Sequence, residues 1–364
     1  MSEQQSTMSS ITAGDTSLPL QERSWFKLLV WFLYSIIFVM GVGGNAAVCY
    51  IICRRKNVKT VTNLFILNLA VSDLIFSGSI PLEFPIILND NKWPYASFFC
   101  KIYPPVQTIA LSVSIFTLTA VSIVRYQAIN HPLKWQVSQC HAKYIIVGIW
   151  LFSALLMIPH FITLKIKENV CDEEWPHVSY RKTYTMILFV FFYVIPLSIV
   201  GFAYAKIIKE LKNKRNYQNA ALNEARDEET AKVVRMLLKI TFVFAVCNLP
   251  SQLMWLWLDF GNADQVFPYF WDLLAVFNIF IFANSAANPL IYYICHDRFR
   301  DEVHAYFKRC RSSGILKKCS LRQSEPLWLG QNDEMGDELV NMNSTRKSLQ
   351  LVSKTVETKQ TDFN

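Results

Sequence analysis

Seven runs of mostly apolar residues, near 27–53, 62–88, 98–126, 142–163, 183–209, 232–258 and 267–294, constrain this chain more than any other feature. Each is long enough, at about 1.5 Å of rise per helical residue, to cross the hydrocarbon of a bilayer. The bilayer core offers no water to backbone N–H and C=O groups, so such runs fold as helices that satisfy their own hydrogen bonds. The composition agrees: 52% of the 364 residues are hydrophobic and only 18% are charged, too few charges for a typical water-soluble chain. The sequence predicts an all-α membrane protein, a seven-transmembrane helix bundle.

Charge sets its orientation. Arg54, Arg55, Lys56 and Lys59 follow the first run, Arg125, Lys134 and Lys143 surround the gap after the third, and Lys206, Lys209, Lys212, Lys214 and Arg215 close the fifth. The 259–268 loop carries Asp259 and Asp264 with no Lys or Arg. The positive-inside rule then puts the N-terminus outside and the C-terminus in the cytoplasm. The net charge of +8 belongs to these membrane flanks and is no sign of nucleic-acid binding. Four regions are expected. Residues 1–26 form a polar extracellular disordered tail and 27–296 the bundle. Residues 297–310 form an amphipathic membrane-surface helix, with Phe299, Val303, Tyr306 and Phe307 at helical spacing. Residues 311–364 form a disordered cytoplasmic tail. No cleavable leader is read, so the first spanning helix is expected to direct insertion. Cys310 and Cys319, beside basic residues, are palmitoylation candidates.

Polar side chains at membrane depth need partners and mark candidate sites. Asp73 lies in the second run, Ser114 midway along the third, Asn45 in the first, and Asn284, Ser285 and Asn288 in the seventh. A lone Asp73 could simply be protonated, but one Asp with several amides and hydroxyls at matching depths better suits a hydrated cluster or an oxygen-lined site for a hard cation. Pro196, Pro250 and Pro289 each sit inside a run and predict kinks. The nine cysteines show no metal-ligand spacing. Cys100 and Cys171 both fall on the outer, oxidising side and are expected to pair, tying the third helix to the long outer loop.

These runs and their motifs resemble the rhodopsin-class G-protein-coupled receptors over about 27–310. The matching stretches are GGNAAV in the first helix, LNLAVSDL in the second, Trp93 and Cys100 around the first outer loop, and VRY at Arg125. Trp150, Pro196 with Tyr204, FAVCNLP and NPLIY continue the series on helices four to seven. The resemblance implies that Arg125 and Tyr126 belong to the inner coupling face, with Tyr204 and Tyr292 turning in to support Arg125 when that face opens. Pro132 and Leu133 would dock on a heterotrimeric G protein, and Pro250 would hinge the sixth helix. Asp73, Ser114, Asn284, Ser285 and Asn288 would form an allosteric sodium pocket; no other cofactor is implied. Arrestin and receptor kinases would act on the tail.

Two positions depart from the family pattern. Val124 stands where an acid usually precedes the arginine, which removes an ionic restraint and predicts raised basal signalling. Asn248 stands where a tryptophan is usual, which shifts the expected repacking to Phe244.

The ligand class narrows by exclusion. Residues 267–294 contain no lysine for a retinal Schiff base. Gln107 replaces the aspartate that resembling receptors use for amines. Gln107, the stretch VCDEEWP and the fifth helix resemble the neuropeptide FF, RFamide, neuropeptide Y and orexin receptors. That resemblance implies an extracellular neuropeptide, a short C-terminally amidated basic one. Asp172, Glu173, Glu174, Asp259 and Asp264 would make an acidic entrance, with Asp259 matching the acid used for a ligand arginine. Gln107, Thr108, Trp255, Phe277 and Asn278 would take the amidated aromatic end.

Three rivals compete with this reading. A transporter would suit a central Asp and broken helices, but no internal repeat is present. No catalytic set argues for an enzyme. A constitutively active or heterodimerising receptor of the same fold would suit Val124 and Asn248.

Overall fold

The computed structural model describes residues 24–54, 60–89, 92–134, 136–217, 221–295 and 299–305. Seven spanning helices follow in order: α1 (Ser24–Arg54), α2 (Val61–Ile87), α3 (Ser97–Asn130), α4 (Gln139–Thr163), α5 (Val178–Asn213), α6 (Thr230–Gly261) and α7 (Phe270–Cys295). A short helix, α8 (299–305), follows the seventh. Its Phe299 is buried against the Tyr292 ring, with centroids 6.2 Å apart. Cys310, Cys319 and most of both predicted tails lie outside the described residues.

Several helices run past the apolar limits read from the sequence. α1 already begins at Ser24, inside the predicted tail, and α3 continues four residues beyond 126 to Asn130. Hydropathy stops where the side chains turn polar, but the helical backbone has no reason to stop there. Local caps set the true starts. Thr60 accepts from the Asn63 N–H at 3.3 Å to open α2, and Ser138 accepts from the His141 N–H at 3.3 Å to open α4. α7 starts at Phe270 rather than 267, just past Pro268.

The kinks have named causes. α2 breaks at Ser79 and restarts at Ile80 with Pro81 in its first turn, where the missing N–H costs nothing. In α5 a π-helical turn over Val190–Val194 precedes Pro196 and absorbs the hydrogen bond that proline cannot donate. Pro250 and Pro289 lie inside α6 and α7.

α3 is the hub and touches α2, α4, α5 and α6. Its most apolar window is 56% buried within the protein, against 11% for α4, which leaves α4 as an outer helix facing lipid. α7 packs between α6 and α1. Close approach there depends on glycine. A Cβ at Gly44 would stand 2.7 Å from Cβ of Pro289, and one at Gly41 would stand 2.5 Å from Oγ of Ser77.

The expected all-α class holds for the bundle but not for the second outer loop. There β1 (Leu164–Lys167) pairs antiparallel with β2 (Val170–Glu173), Leu164 opposite Glu173 and Ile166 opposite Cys171. Glu168 and Asn169 turn the corner with φ of 51° and 64°, as a tight two-residue hairpin requires. The strands have four residues each, too short for an alternation to stand out in the sequence. β2 delivers Cys171 to a disulfide with Cys100 at the top of α3.

Candidate functional site

The bundle presents three groups of polar residues along its axis. The middle one surrounds Asp73, which is 1% exposed. One carboxylate oxygen accepts from the Ser114 hydroxyl at 3.1 Å and the other from the Asn288 amide at 2.6 Å, so α2, α3 and α7 meet on one residue. Ser72 adds a hydroxyl 2.9 Å from that of Ser114. Asn45 of α1 donates to the carbonyls of Gly41 at 2.8 Å and Ser285 at 3.0 Å. Asn68 joins α3 and α4 by donating to Thr117 at 2.7 Å and accepting from the Trp150 indole at 2.9 Å. Several buried oxygens of α1 and α7 have no hydrogen-bond partner among the described residues: Oδ1 of Asn45, Asn284 and Asn288 and the Tyr292 hydroxyl; Oγ of Ser285 has at most Asp73 to turn to. Such groups are costly when left empty. A buried carboxylate among unfilled oxygens suits a hard cation or ordered water.

The inner group centres on Arg125 at the end of α3. Tyr204 of α5 lies close enough to interact with its charge. Tyr204 and Tyr292 are both buried. Nε of Arg125 has no hydrogen-bond partner, and among the described residues no carboxylate pairs with this guanidinium. Val124 has no charge to offer it. Tyr126 packs edge-on against His131 and tilts against Phe202. Pro132 is exposed, and Leu133 is 101% exposed, so no described residue covers that apolar side chain. Phe244 is buried in the main core, and its carbonyl accepts from Asn248 at 2.8 Å. Asn248 is itself buried, with Oδ1 unfilled.

An acid at 124 should restore the missing restraint. We expect Val124→Asp to lower ligand-independent signalling about fivefold, the population shift given by a partly exposed ion pair of about 1 kcal/mol. Second-messenger output per molecule at the cell surface, the readout that the resemblance implies, checks this, and unchanged output in a well-expressed variant would refute it.

The outer group departs most from expectation. Asp259, 6% exposed, is bound by Nε of Arg181 at 2.8 Å and by the Thr185 hydroxyl, both from α5. Glu173 pairs with Nε2 of His160 at 3.2 Å and accepts from the Trp175 indole at 2.6 Å. Burial opposes ionisation of Glu173, but hydrogen bonds from His160 and Trp175 and the nearby positive charge outweigh it and hold this carboxyl below its usual range. Glu174 is held low by a hydrogen bond and charge from Lys165, 2.7 Å away on the facing strand. The expected acidic entrance is thus largely neutralised from within; Asp172 and Asp264 remain as exposed acids. Arg181, Lys165 and His160 are plain in the sequence, but only the hairpin and the α5–α6 packing bring them to these acids.

The deeper contacts cluster on α2 and α3. The two N–H groups of the Gln107 amide share three acceptors, Oγ of Ser79 at 2.8 Å, the Tyr103 hydroxyl at 2.8 Å and Oε1 of Glu83 at 3.1 Å. Tyr103 donates to the same Glu83 oxygen at 2.7 Å. Thr108 turns back to the Pro104 carbonyl at 3.1 Å. Trp255 of α6 is 40% exposed, and Phe277 and Asn278 of α7 are half-buried. Phe277 packs beside Met254 and Leu258. Glu83 and Tyr103 are absent from the sequence-predicted set. The signal was there: an acid inside a spanning segment is itself a functional mark.

Comparison with known proteins supplies the kinship. Residues 44–292 match the family described as "7 transmembrane receptor (rhodopsin family)". The chain is 32% identical over 318 residues to the RYamide receptor of Drosophila melanogaster, covering 82% of this chain and 67% of that one. It is 31% identical to neuropeptide FF receptor 1 of Rattus norvegicus, over 76% and 69% of the two chains. It is 30% identical to neuropeptide FF receptor 2 of Mus musculus, over 87% and 81%.

Proposed function

The chain belongs to the rhodopsin family of seven-transmembrane receptors, and on that footing we propose that it answers a short, basic, C-terminally amidated neuropeptide by activating a heterotrimeric G protein. As a member of this family it is a multi-pass protein of the plasma membrane, and a receptor rather than an enzyme. The observation that carries the ligand reading is the kinship itself: relatives matching three quarters or more of the chain are named as receptors for RYamide or neuropeptide FF.

In this reading the peptide enters between the hairpin and α6. Its aromatic end reaches Gln107, Thr108, Trp255, Phe277 and Asn278. Binding shifts the population toward a state in which the inner end of α6 swings away on Pro250. Arg125 then meets the G protein, supported by the Tyr204 and Tyr292 hydroxyls, while Pro132 and the unheld Leu133 dock on its surface. Arrestin and receptor kinases would engage the cytoplasmic tail.

The Asp73 cluster fits a sodium ion in its donor chemistry, with a buried carboxylate, the Ser114 hydroxyl and the unfilled oxygens of Asn284, Ser285 and Asn288. A bound ion would supply positive charge between α2, α3 and α7 and favour the resting state. Replacing external sodium with N-methylglucamine should then raise basal output in the wild type and leave Asp73→Asn unchanged. Equal sodium dependence in both would remove the ion from this reading.

The test of the ligand class is a calcium or cyclic-AMP readout in cells displaying the receptor. Peptides ending in Arg-Phe-amide and Arg-Tyr-amide are compared with their free acids. A response to amides that fails with the free acids is expected. Silence across the panel, with surface expression confirmed, would overturn it. High basal output in that case would favour the constitutive reading to which the unpaired Arg125 points.

A further inference from the structure

The protein places an arginine of its own where a basic ligand would look for an acid. Arg181 lies in the first turn of α5, and its Nε stands 2.8 Å from Oδ1 of Asp259, near the outer end of α6. Oδ2 of the same carboxylate accepts from the Thr185 hydroxyl. The Asp259 side chain is buried, whereas that of Arg181 is 34% exposed. A guanidinium that still touches water thus covers a carboxylate that does not.

The other paired acids differ. Glu174 and Lys165 are both well exposed, so water screens that pair and a cation gains little by entering it. Glu173 is held by His160 and by the Trp175 indole. Asp259 alone combines burial with a half-exposed partner from another helix. A buried carboxylate cannot be left without a positive partner at small cost, so Arg181 leaves only when another cation arrives. A second guanidinium is the natural replacement, because it remakes the bonds that Arg181 gives up. The departing side chain has a place to go. It is already partly hydrated, and Glu173 lies close enough to feel its charge. The exchange swaps like for like, and the junction survives it. Lys182 lies over the Phe260 ring at 5.7 Å, and the Tyr193 hydroxyl donates to the Ala245 carbonyl at 3.1 Å, so α5 and α6 stay joined without Arg181.

We infer that Arg181 is an internal competitor of the ligand: it fills Asp259 in the empty receptor, and an arginine of the peptide must displace it, toward Glu173, in order to bind. Arg181 thereby lowers the apparent affinity for the peptide by the fraction of receptors in which Asp259 is occupied. The inference rests on the peptide-receptor reading above and deepens it.

The test uses two peptides that differ in one group: an amidated peptide ending in Arg-Phe-amide, and the same peptide with citrulline, the neutral isostere, in place of arginine. Each is titrated on the wild type, Arg181→Gln, Asp259→Asn and the double variant. The wild type should prefer the arginine peptide about tenfold, and Arg181→Gln should widen that preference about tenfold further, the worth of a hydrogen bond to a charged group. Asp259→Asn should shrink the preference to within about threefold, and the double variant should match Asp259→Asn, since a competitor has no effect once its site is gone. The ratio of two peptides on the same cells cancels expression level. If Arg181 is only a clasp between α5 and α6, both potencies move together and the ratio stays at its wild-type value, which overturns the inference. A ratio that falls in Arg181→Gln also overturns it, because Arg181 would then be helping to hold the ligand. So does a preference that survives Asp259→Asn. If Arg181→Gln is not delivered to the surface, Arg181→Lys, a point charge without the planar fork, should widen the ratio about threefold, and no change counts against the inference. Wild-type receptor that answers both peptides equally removes this inference and leaves the peptide reading standing, whereas one that answers neither removes both.

Discussion

Cys171→Ser is expected to cut surface-displayed, ligand-responsive receptor by about 90%. The bridge closes a sequence separation of 71 residues between the top of α3 and β2. In a free chain, closing a loop of that length is worth about 4 kcal/mol. The gain in the bilayer is smaller, because α3, α4 and α5 already hold the loop's ends near one another. What the bridge adds is position. The hairpin is otherwise anchored by few backbone contacts, among them the Trp93 N–H on the Asn169 carbonyl at 2.6 Å and the Glu174 N–H on the Thr163 carbonyl at 2.8 Å. Without the bridge β2 is free to lift, and Glu173, Glu174 and Trp175 go with it. Cys140→Ser, at an exposed free thiol, is the matched control and should behave as wild type. Surface labelling of an epitope-tagged receptor, read beside the second-messenger response, checks both. Full response from Cys171→Ser would mean that the loop is positioned by the hairpin alone.

The second large effect is expected at Arg125. Arg125→Ala should lower maximal G-protein activation at least tenfold while surface level stays within about twofold of wild type. The separation of the two effects follows from the missing acid. In a buried ion pair, removing the base strands a carboxylate, and the fold loses several kcal/mol. Here no carboxylate among the described residues pairs with Arg125, so its removal strands none of them. Nε of Arg125 has no hydrogen-bond partner among the described residues, so that N–H can be offered to a partner. Guanine-nucleotide exchange in membranes from expressing cells is the direct measurement. A variant that is lost from the surface would show that Arg125 holds the fold together after all.

The bundle was legible in the sequence because its rule is coarse. A helix that must satisfy its backbone in lipid is announced by length and hydropathy, and all seven runs reappear as spans. The Cys100–Cys171 pair was legible for a similar reason: sidedness left few alternatives. Asp73, Ser114 and Asn288 also meet as their depths suggested. What failed was the pairing of the outer acids, whose bases neither depth nor hydropathy marks. The acids at 173, 174 and 259 looked like a negative surface because each was seen without its base. Asp259 and Arg181 are 78 positions apart, and only the packing of α5 on α6 joins them. The helix break at Ser79 was missed because Pro81 falls in a run that hydropathy treats as continuous. That break places Oγ of Ser79 where it accepts from the Gln107 amide. Glu83 stands among apolar neighbours in the sequence, and only the packing of α2 on α3 brings Tyr103 and Gln107 to it.

The bare faces of Gly41 and Gly44 have a practical consequence. With Ser77 and the rigid ring of Pro289 pressed where a methyl group would stand, α1 cannot slide or roll without striking α2 or α7. α5 and α6 have no such clamp and carry instead a π turn and a proline. The molecule is therefore divided into a frame and a lever. A fluorophore or spin label fixed near the inner end of α1 serves as a stationary origin, and any change in its distance to a second label on α6 measures the travel of α6 alone.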